Sequence, residues 1–327
     1  MVTADVLRLD WEAEVERIVA MMRDTVWQRF KRKGVVLGVS GGVDSSVCAA
    51  LACRAFGPER TLALLMPEYD SSAASEDLGG AVARHLGMLQ MTERIGPALE
   101  AIGCYRWRDE AIRSVFPDYA EGWRNKIVIA RPAGSALSYF KLVVQSPDGQ
   151  MHEQRLPGPA YLQIVAATNF KQRLRKTMEY FHADRLNYAV LGTPNRLEYD
   201  QGFFVKNGDG SADVKPIAHL YKTQVYALAR HLKLPDAVCN AVPTTDTYSL
   251  PQGQDEFYFS LPYAQMDLVL WGLNHGVAAA ELTEATGLTT EQVAAAWRDI
   301  ESKRRATAYL HARPVLAEPV FAPGTQA

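Results

Sequence analysis

The sequence predicts an α/β protein, a doubly wound parallel sheet with a β-rich insertion and a helical C-terminal extension. Apolar runs at Val35–Leu37 and Thr61–Pro67 alternate with helical segments, and this alternation is typical of a parallel sheet with right-handed crossovers. Residues 103–165 contain short strand-like runs and turn formers instead. Residues 276–312 return to a helical pattern, which predicts the C-terminal extension.

Length and composition are those of a packed globular protein. The 327 residues are 48% hydrophobic and 22% charged, and the net charge of -2 argues against a protein that mainly binds nucleic acid. We expect one domain over residues 1–318 and a loose tail over 319–327. The four cysteines form no C-x-x-C pair, and neither a signal peptide nor a membrane-spanning apolar run is visible. These features predict a soluble cytoplasmic protein with reduced thiols.

The first half of the chain begins with an amphipathic segment. Over residues 3–31 apolar side chains recur every three or four positions, which predicts a helix that packs on the core or on a partner subunit. The strand at Val35–Leu37 follows, then a glycine-rich turn and a helix rich in alanine and leucine. After the second strand, residues 71–86 predict another helix, which ends at Gly87.

The insertion contains three strand-like runs. They are Lys126–Ala130, Ser138–Gln145 and Met151–Leu156, and the turn formers Pro147, Asp148 and Gly149 predict a hairpin between the last two. We expect a surface lid or an oligomer contact here.

Beyond the insertion the pattern is helical again from Ile164. A short buried strand is predicted at Tyr188–Leu191, followed by a polar, glycine-rich loop over Glu198–Asp213. A loop that follows a strand and carries many polar residues is a candidate for function by its position. The next helix is predicted at Tyr221–Leu232.

The turn after the first strand has the composition of a phosphate-binding loop. Adjacent glycines let a ligand approach the backbone, and the helix that follows presents free N–H groups and a positive dipole end. A tight turn without a ligand is the alternative, which the surrounding hydroxyls and carboxylate disfavour. The loop is neither a Walker A loop nor a G-x-G-x-x-G fingerprint. Its candidate ligand-binding residues are Gly38, Ser40, Gly41, Gly42, Asp44, Ser45 and Ser46.

The stretch Ser40–Ser45 resembles the pyrophosphate loop of the N-type ATP pyrophosphatases, and later stretches resemble the NAD synthetases within that superfamily. The loop alone is shared by several families, whereas the later stretches occur in the family's order. They are Asn169–Arg175, Leu191–Glu198, Gly202–Asp213, Leu220–Gln224 and Pro243–Asp246. The resemblance covers the opening helix and roughly residues 34–90 and 164–312, and it implies an adenine nucleotide alpha-hydrolase-like fold.

The resemblance also implies an ATP site. In the family, positions that match Asp44 and Glu198 ligate Mg²⁺, an ion that prefers hard oxygen donors. Lys222 and Thr244 match positions that reach the ATP phosphates, where a cation offsets the charge that develops on the leaving pyrophosphate. We assign catalysis to Asp44, Lys222 and Asp209.

The implied reaction converts a carboxylic acid into an amide in two steps. The carboxylate attacks the α-phosphate of ATP and releases pyrophosphate, and ammonia then displaces AMP. In the family the acid is deamido-NAD, whose phosphates suit basic side chains. Tyr180 either stacks on the pyridine ring or is a core tyrosine, and Asp209 or Asp213 holds the ammonium ion. The residues implied at the substrate are Arg173, Arg175, Tyr180, Thr193, Lys206, Asp209 and Asp213.

Ammonia is expected to be free or supplied by a separate partner. The glutamine-dependent relatives carry an additional amidase domain with a nucleophilic cysteine, and residues 1–33 leave no room for one. The family forms homodimers, and the apolar stripes of the first helix and of residues 163–182 suit such a contact. Membrane and nucleic-acid partners are not expected.

Two alternatives to a NAD synthetase remain open at this point. The insertion is longer and more β-rich than is usual for ammonia-dependent members, and residues 170–173 and 193–195 vary the usual substrate-side pattern. An amide synthetase of the same chemistry with a different carboxylic acid is therefore the first alternative. A nucleotide-binding protein without catalysis is the second. A tRNA-thiolating enzyme is disfavoured because there is no C-x-x-C pair.

Overall fold

The computed structural model describes residues 2–130, 139–241, 247–251, 253, 258–259, 261–318 and 320. The strands are β1 (Val35–Gly38), β2 (Thr61–Leu65), β3 (Leu89–Thr92), β4 (Arg124–Ala130), β5 (Tyr139–Gln145), β6 (Met151–Arg155) and β7 (Ala189–Val190). The α-helices are α1 (Trp11–Arg23), α2 (Val43–Phe56), α3 (Ala73–His85), α4 (Gly96–Ala101), α5 (Cys104–Arg113), α6 (Gly158–Leu186), α7 (Arg196–Gln201), α8 (Lys222–His231), α9 (Asp236–Cys239), α10 (Tyr263–Asn274), α11 (Thr283–Thr286) and α12 (Thr290–His311).

A parallel sheet in the order β3-β2-β1-β7 forms the centre of the fold and confirms the predicted α/β class. In the register, Val35 of β1 lies beside Thr61 of β2 and Ala189 of β7. Strands β1, β2 and β7 are short apolar runs because helices cover both faces of the sheet. The sequence analysis missed β3, an exposed edge strand in which polar residues interrupt the apolar pattern. The turn after β1 lies at the carboxyl edge of the sheet, where α/β proteins bind ligands.

The predicted helix over residues 3–31 is three shorter pieces. A 3₁₀ turn occupies Ala4–Leu7, Asp10 caps α1 by accepting a hydrogen bond from the backbone of Ala13, and a π-helical turn follows over Asp24–Arg29. The apolar stripe of α1 is buried in the same core as α2 and the central sheet. Of the two roles left open, the stripe therefore packs on the core of its own chain.

The insertion forms a separate antiparallel sheet in the order β4-β5-β6, as the strand pattern predicts. The hairpin turn closes where the backbone N–H of Gly149 donates to the carbonyl of Ser146 at 2.8 Å. Strands occupy only the middle of the predicted β-rich region, because α5 precedes them and α6 already starts at Gly158. The sheet packs with α5 and α6 around a second core that includes Ile127 and Leu142.

A helical layer completes the fold on the side of α7 and α8. The predicted loop over Glu198–Asp213 starts as α7, and α10, which the sequence analysis did not predict, packs with α12 in a further core. Arg304 of α12 donates two hydrogen bonds to Asp200 of α7, at 2.6 and 2.8 Å, and so joins the C-terminal extension to the site-bearing helix. Among the described helices, none has the length and apolar character needed to cross a membrane.

Candidate active site

The glycine-rich turn is held open by its own hydroxyl groups. Ser45 and Ser46 donate from Oγ to the carbonyl of Gly42 at 3.0 and 2.8 Å. The backbone N–H of Gly42 donates to Ser40 Oγ at 3.3 Å. Gly42 is the N-cap of α2, so the first-turn N–H groups of this helix face the turn. These hydrogen bonds fix the turn beside the free N–H groups at the start of α2, and a helix N-terminus of this kind is suited to phosphate.

Gly41 lets this turn pack directly against α3. Its φ of 82° lies in the left-handed region, and a Cβ atom there would approach Leu78 Cβ to 2.8 Å. Gly79 on α3 is equally constrained, since its Cβ would lie 2.6 Å from the carbonyl oxygen of Val39. The turn is thus fixed by a close contact of two glycine positions.

Asp44 is the point where three segments of the chain meet. Lys222 Nζ, at the start of α8, donates to Asp44 Oδ2, and Asn195 Nδ2 donates to Asp44 Oδ1 at 3.0 Å. The Lys222 side chain is only 1% exposed. Burial alone would lower the pKa of Lys222, but the carboxylates of Asp44 and Glu198 outweigh it and raise the pKa. Lys222 is therefore a buried cation in a carboxylate environment.

Glu198 is held in the same cluster by a capping box at the start of α7. The backbone N–H of Asn195 donates to Glu198 Oε2 at 3.1 Å, and Asn195 Oδ1 accepts from the backbone of Leu197 at 2.9 Å. The sequence analysis missed Asn195, although an Asn three residues before a Glu at a helix start is a capping-box signal. Burial raises the pKa of the Cys48 thiol, and the nearby carboxylates of Asp44 and Glu198 raise it further. Both carboxylates therefore lie close to Cys48.

The donor set around Asp44 fits a magnesium ion bound partly by a substrate. Asp44 and Glu198 are the two carboxylates of the cluster that could hold the ion; no group of three or more metal-binding side chains occurs within the described residues. Two carboxylates completed by phosphate oxygens and water are the usual set for Mg²⁺ in nucleotide enzymes.

A large cavity of about 1110 Å³ opens over this cluster. Its volume exceeds the range of roughly 300–1,000 Å³ for small-molecule pockets, which leaves room for two nucleotide-sized ligands. Residues predicted for ATP and metal line it, namely Ser40, Gly41, Gly42, Asp44, Ser45, Lys222 and Glu198. Residues predicted for the acid also line it, namely Arg173, Thr193, Lys206 and Asp209.

A smaller cavity of about 240 Å³ lies behind the loop at the carboxyl ends of β1 and β2. Ser40, Ser45, Thr193 and Asp209 line both cavities, so only a layer of side chains separates the two. Gly38 and Arg175, both predicted from sequence, lie on the smaller one.

The smaller cavity is also lined by Lys176 and Glu179, two buried charged residues that were not predicted from the sequence. Lys176 Nζ donates to Glu179 Oε2 at 2.6 Å, and burial raises the pKa of Glu179. Burial also raises the pKa of Asp209, whose Oδ1 accepts from the backbone of Val205 at 2.7 Å. A Cβ atom at Gly38 would approach Glu179 Oε1 to 3.2 Å, so the glycine leaves room for this carboxylate.

Several predicted residues lie elsewhere. Tyr180 Oη donates to Asp213 Oδ1 at 3.2 Å, and neither residue is among the described residues that line the two cavities. Ser46 is fully buried behind the loop. Lys206 does line the large cavity, but its Nζ donates to the carbonyls of Tyr309 and Ala312, at 2.8 and 3.1 Å, at the end of α12. Thr244 lies outside the described residues.

A network of buried charged side chains packs against the wall of the large cavity. Lys171 Nζ donates to Glu68 Oε1 at 3.0 Å, to Asp70 Oδ2 at 2.5 Å and to the carbonyl of Thr247 at 2.9 Å. Arg108 of α5 donates to the same Asp70 oxygen at 2.5 Å. Since Thr247 lines the large cavity, the network fixes the cavity wall to α5 and α6. No spacing in the sequence indicates it, because its members lie far apart in the chain.

Comparisons with known proteins agree with the geometry. A sequence model of the NAD synthase family matches residues 14–116 and 138–309. The chain is 57% identical over 320 residues to a protein of Rhizobium rhizogenes named NH(3)-dependent NAD(+) synthetase, covering 98% of this chain and 96% of that protein.

Two solved structures have a similar fold. One is an NMN synthetase from Francisella tularensis, with a TM-score of 0.64, 21% identity, and coverage of 96% of this chain and 100% of that one. The other is an NH3-dependent NAD synthetase from Campylobacter jejuni, with a TM-score of 0.63, 21% identity, and coverage of 95% and 100%.

Proposed function

The chain belongs to the NAD synthase family, and from this premise we propose that it is an ammonia-dependent NAD synthetase, a ligase that forms a C–N bond. It converts ATP, ammonia and deamido-NAD into NAD, AMP and pyrophosphate. The observation that carries the proposal is the convergence of Asp44, Glu198 and Lys222 beside the phosphate loop, in a cavity with room for two nucleotides.

In the first step an oxygen of the substrate carboxylate bonds to the α-phosphorus of ATP, and the bond from that phosphorus to the bridging oxygen breaks. The electron pair leaves with pyrophosphate. The free N–H groups in the first turn of α2 are suited to bind the leaving group. Lys222 stays protonated because the carboxylates raise its pKa, so it offsets the negative charge that develops there.

Asp44 and Glu198 would hold Mg²⁺ together with phosphate oxygens. When bound there, the ion would supply positive charge to the triphosphate, which would lower the free-energy cost of releasing pyrophosphate. Asn195 keeps both carboxylates in place, since its side chain donates to Asp44 and its backbone to Glu198.

In the second step the nitrogen of ammonia bonds to the acyl carbon, AMP leaves with the electron pair of the broken C–O bond, and the nitrogen loses a proton. Asp209 is suited to bind ammonium and accept that proton, because it lines both cavities. Asp213, the other candidate, accepts hydrogen bonds from Tyr180 Oη and from the backbone of Val190 and is not among the described residues that line either cavity, which favours Asp209.

The smaller cavity is suited to the nucleoside of ATP, because it opens from Ser40 and Ser45 of the loop and is too small for a whole nucleotide. The large cavity is then left to deamido-NAD, with Arg173 available to its phosphates.

We also propose a homodimer and a cytoplasmic location. Leu162 and Phe181 of α6 are 66% and 55% exposed, and large exposed apolar side chains favour a protein contact. All four cysteines are free, which suits a reducing compartment. A monomer mass measured by light scattering would contradict the proposed homodimer.

One panel of substrates tests the reaction. The purified chain is incubated with ATP, MgCl₂ and NH₄Cl, and with deamido-NAD, nicotinic acid mononucleotide or unrelated carboxylic acids, and pyrophosphate, AMP and amide are measured. We expect pyrophosphate and NAD with deamido-NAD. Turnover with another acid alone would favour an amide synthetase of different specificity. ATP binding without turnover of any acid would favour a non-catalytic nucleotide-binding protein.

A further inference from the structure

Part of the large cavity is built by a segment that the family model does not cover. The match to the NAD synthase model omits residues 117–137. In this chain those residues include β4, and its Ile129 lines the cavity. Ile129 pairs with Phe140 of β5, which lines the cavity as well. The insertion is therefore a wall of the proposed active site in addition to a surface feature.

Two stacked aromatic side chains lie in this wall. The rings of Phe140 and Tyr161 stack with centroids 4.3 Å apart and planes 14° from parallel. Tyr161 and Val165 lie one turn apart on α6 and both face the cavity. We call Ile129, Phe140, Tyr161 and Val165 the aromatic wall. It contains no charged side chain, so it is suited to a flat apolar surface rather than to phosphate.

The aromatic wall packs against the second core. Side chains alternate along a strand, so Phe140 shares a face with Leu142, which is fully buried in the second core. Phe140 and Tyr161 are themselves half-buried against that core. A preformed aromatic surface loses little conformational entropy when a ring stacks on it.

The spacing of residues along α6 gives the distance from this wall to the phosphate loop. Gln172 lines both cavities, as do Ser40 and Ser45, so the loop lies beside Gln172. Tyr161 precedes Gln172 by eleven residues, which is roughly 16 Å along the helix axis. Arg173, suited to the phosphates of the acid, lies near the loop end of this same face. The wall thus lies at the end of the cavity remote from the chemistry.

We propose that the aromatic wall binds the adenine ring of deamido-NAD and so sets a preference for a dinucleotide acid over a mononucleotide acid. This inference rests on the proposed function. With the reacting carboxylate at the loop and the diphosphate near Arg173, the adenylate half extends along α6 toward Phe140 and Tyr161. A mononucleotide lacks that half and ends before the wall. ATP does not compete for the wall, because its nucleoside occupies the smaller cavity.

Phe140→Ala tests the assignment through steady-state kinetics. Because stacking of a base on an aromatic side chain is lost, we expect the KM for deamido-NAD to rise about 10-fold. The kcat, the KM for ATP and the KM for nicotinic acid mononucleotide stay within about twofold of wild type. Phe140→Tyr keeps the ring and should restore the wild-type KM. Lys141→Ala, on the opposite face of the same strand, is the matched control.

Each other result overturns the assignment in a defined way. A rise in the KM for ATP would place the adenine of ATP at the wall, and an equal rise for the mononucleotide would make the wall a general support of the cavity. An unchanged KM for deamido-NAD in a folded Phe140→Ala variant would show that the aromatic wall does not bind the adenine ring. If that variant does not fold, Phe140→Leu decides the question, because it keeps an apolar side chain without the ring. Failure of the wild type to form NAD would instead refute the proposed function.

Discussion

Lys222 Nζ donates a hydrogen bond to Asp44 Oδ2 and joins the first turns of α8 and α2 across 178 residues of sequence. A cation at a helix N-terminus is unfavourable by itself. Asp267 compensates, because its carboxylate accepts hydrogen bonds from the backbone of Lys222 at 3.3 Å and of Thr223 at 2.7 Å. The lysine is thus held at the phosphate loop from both sides.

Asp44→Asn should abolish synthesis and destabilise the fold. The variant leaves Lys222 buried without its charged hydrogen-bond partner, and we expect a loss of about 3 kcal/mol in the free energy of unfolding. Activity should fall by about 100-fold or more. The double variant Asp44→Asn, Lys222→Met should regain most of the stability and none of the activity. Urea denaturation and pyrophosphate release measure the two effects, and equal stability of single and double variants would contradict the ion pair.

Glu198→Gln should weaken magnesium binding without loosening α7. A Gln oxygen can still accept from the backbone of Asn195, so the capping box is kept while the charge is removed. We expect the half-saturating Mg²⁺ concentration to rise about 10-fold. Titration of activity with MgCl₂ measures this, and the thermal unfolding midpoint is the control. An unchanged Mg²⁺ dependence would exclude Glu198 as a ligand.

Gly41→Ala should impair ATP binding more than its strain alone explains. The φ of 82° costs about 1–2 kcal/mol for an alanine, and the new Cβ also meets Leu78 Cβ at 2.8 Å, which displaces the phosphate loop. Gly87→Ala is a matched control, because its φ is 65° and no atom lies within 4 Å of the new Cβ. We expect both to lower stability and only Gly41→Ala to raise the KM for ATP. Equal KM values would show that the loop tolerates the displacement.

Lys171→Met should be strongly destabilising although the residue touches no substrate. Its side chain is 1% exposed and that of Glu68 is 0% exposed. The substitution therefore removes the counter-ion of a buried carboxylate, which costs about 3–5 kcal/mol in the free energy of unfolding. Lys141→Met breaks the partly exposed pair with Glu153 and should cost at most about 1 kcal/mol. Denaturant unfolding of the two variants gives the comparison. Similar losses would mean that burial does not govern these pairs.

Asp267 should make stability depend on pH. Burial raises its pKa from 3.8 to about 6, although hydrogen bonds from Thr223 oppose the rise. The folded protein therefore binds a proton more tightly than the unfolded chain, and this group adds stability as the pH falls from 6 to 4. A shift of about two units corresponds to roughly 3 kcal/mol. Relative to Asp267→Asn, the wild type should gain unfolding free energy over that interval. A parallel pH profile of the two proteins would contradict this.

Local patterns predicted most of the framework. The glycine turn between an apolar strand and a helix, the strands of the insertion and the helix at α8 each follow from a few adjacent residues, and the structure confirms them. The edge strand β3 and helix α10 escaped prediction, because their apolar residues do not follow one clear period. The assignments of substrate-side residues remain predictions, with Tyr180 and Asp213 lying away from both cavities.

The sequence by itself determined the fold class and the family, and it predicted a phosphate-binding loop. These depend on short motifs whose residues act on the backbone close to them or recur in a fixed order. Only the tertiary structure decided that Asn195 hydrogen-bonds to both Asp44 and Glu198. The same holds for the ion pair of Lys171 with Glu68 and for the position of Phe140 on the cavity wall. Such contacts join residues far apart in the chain, and they form because a buried charge or ring needs a partner that packing supplies, whatever its place in the sequence.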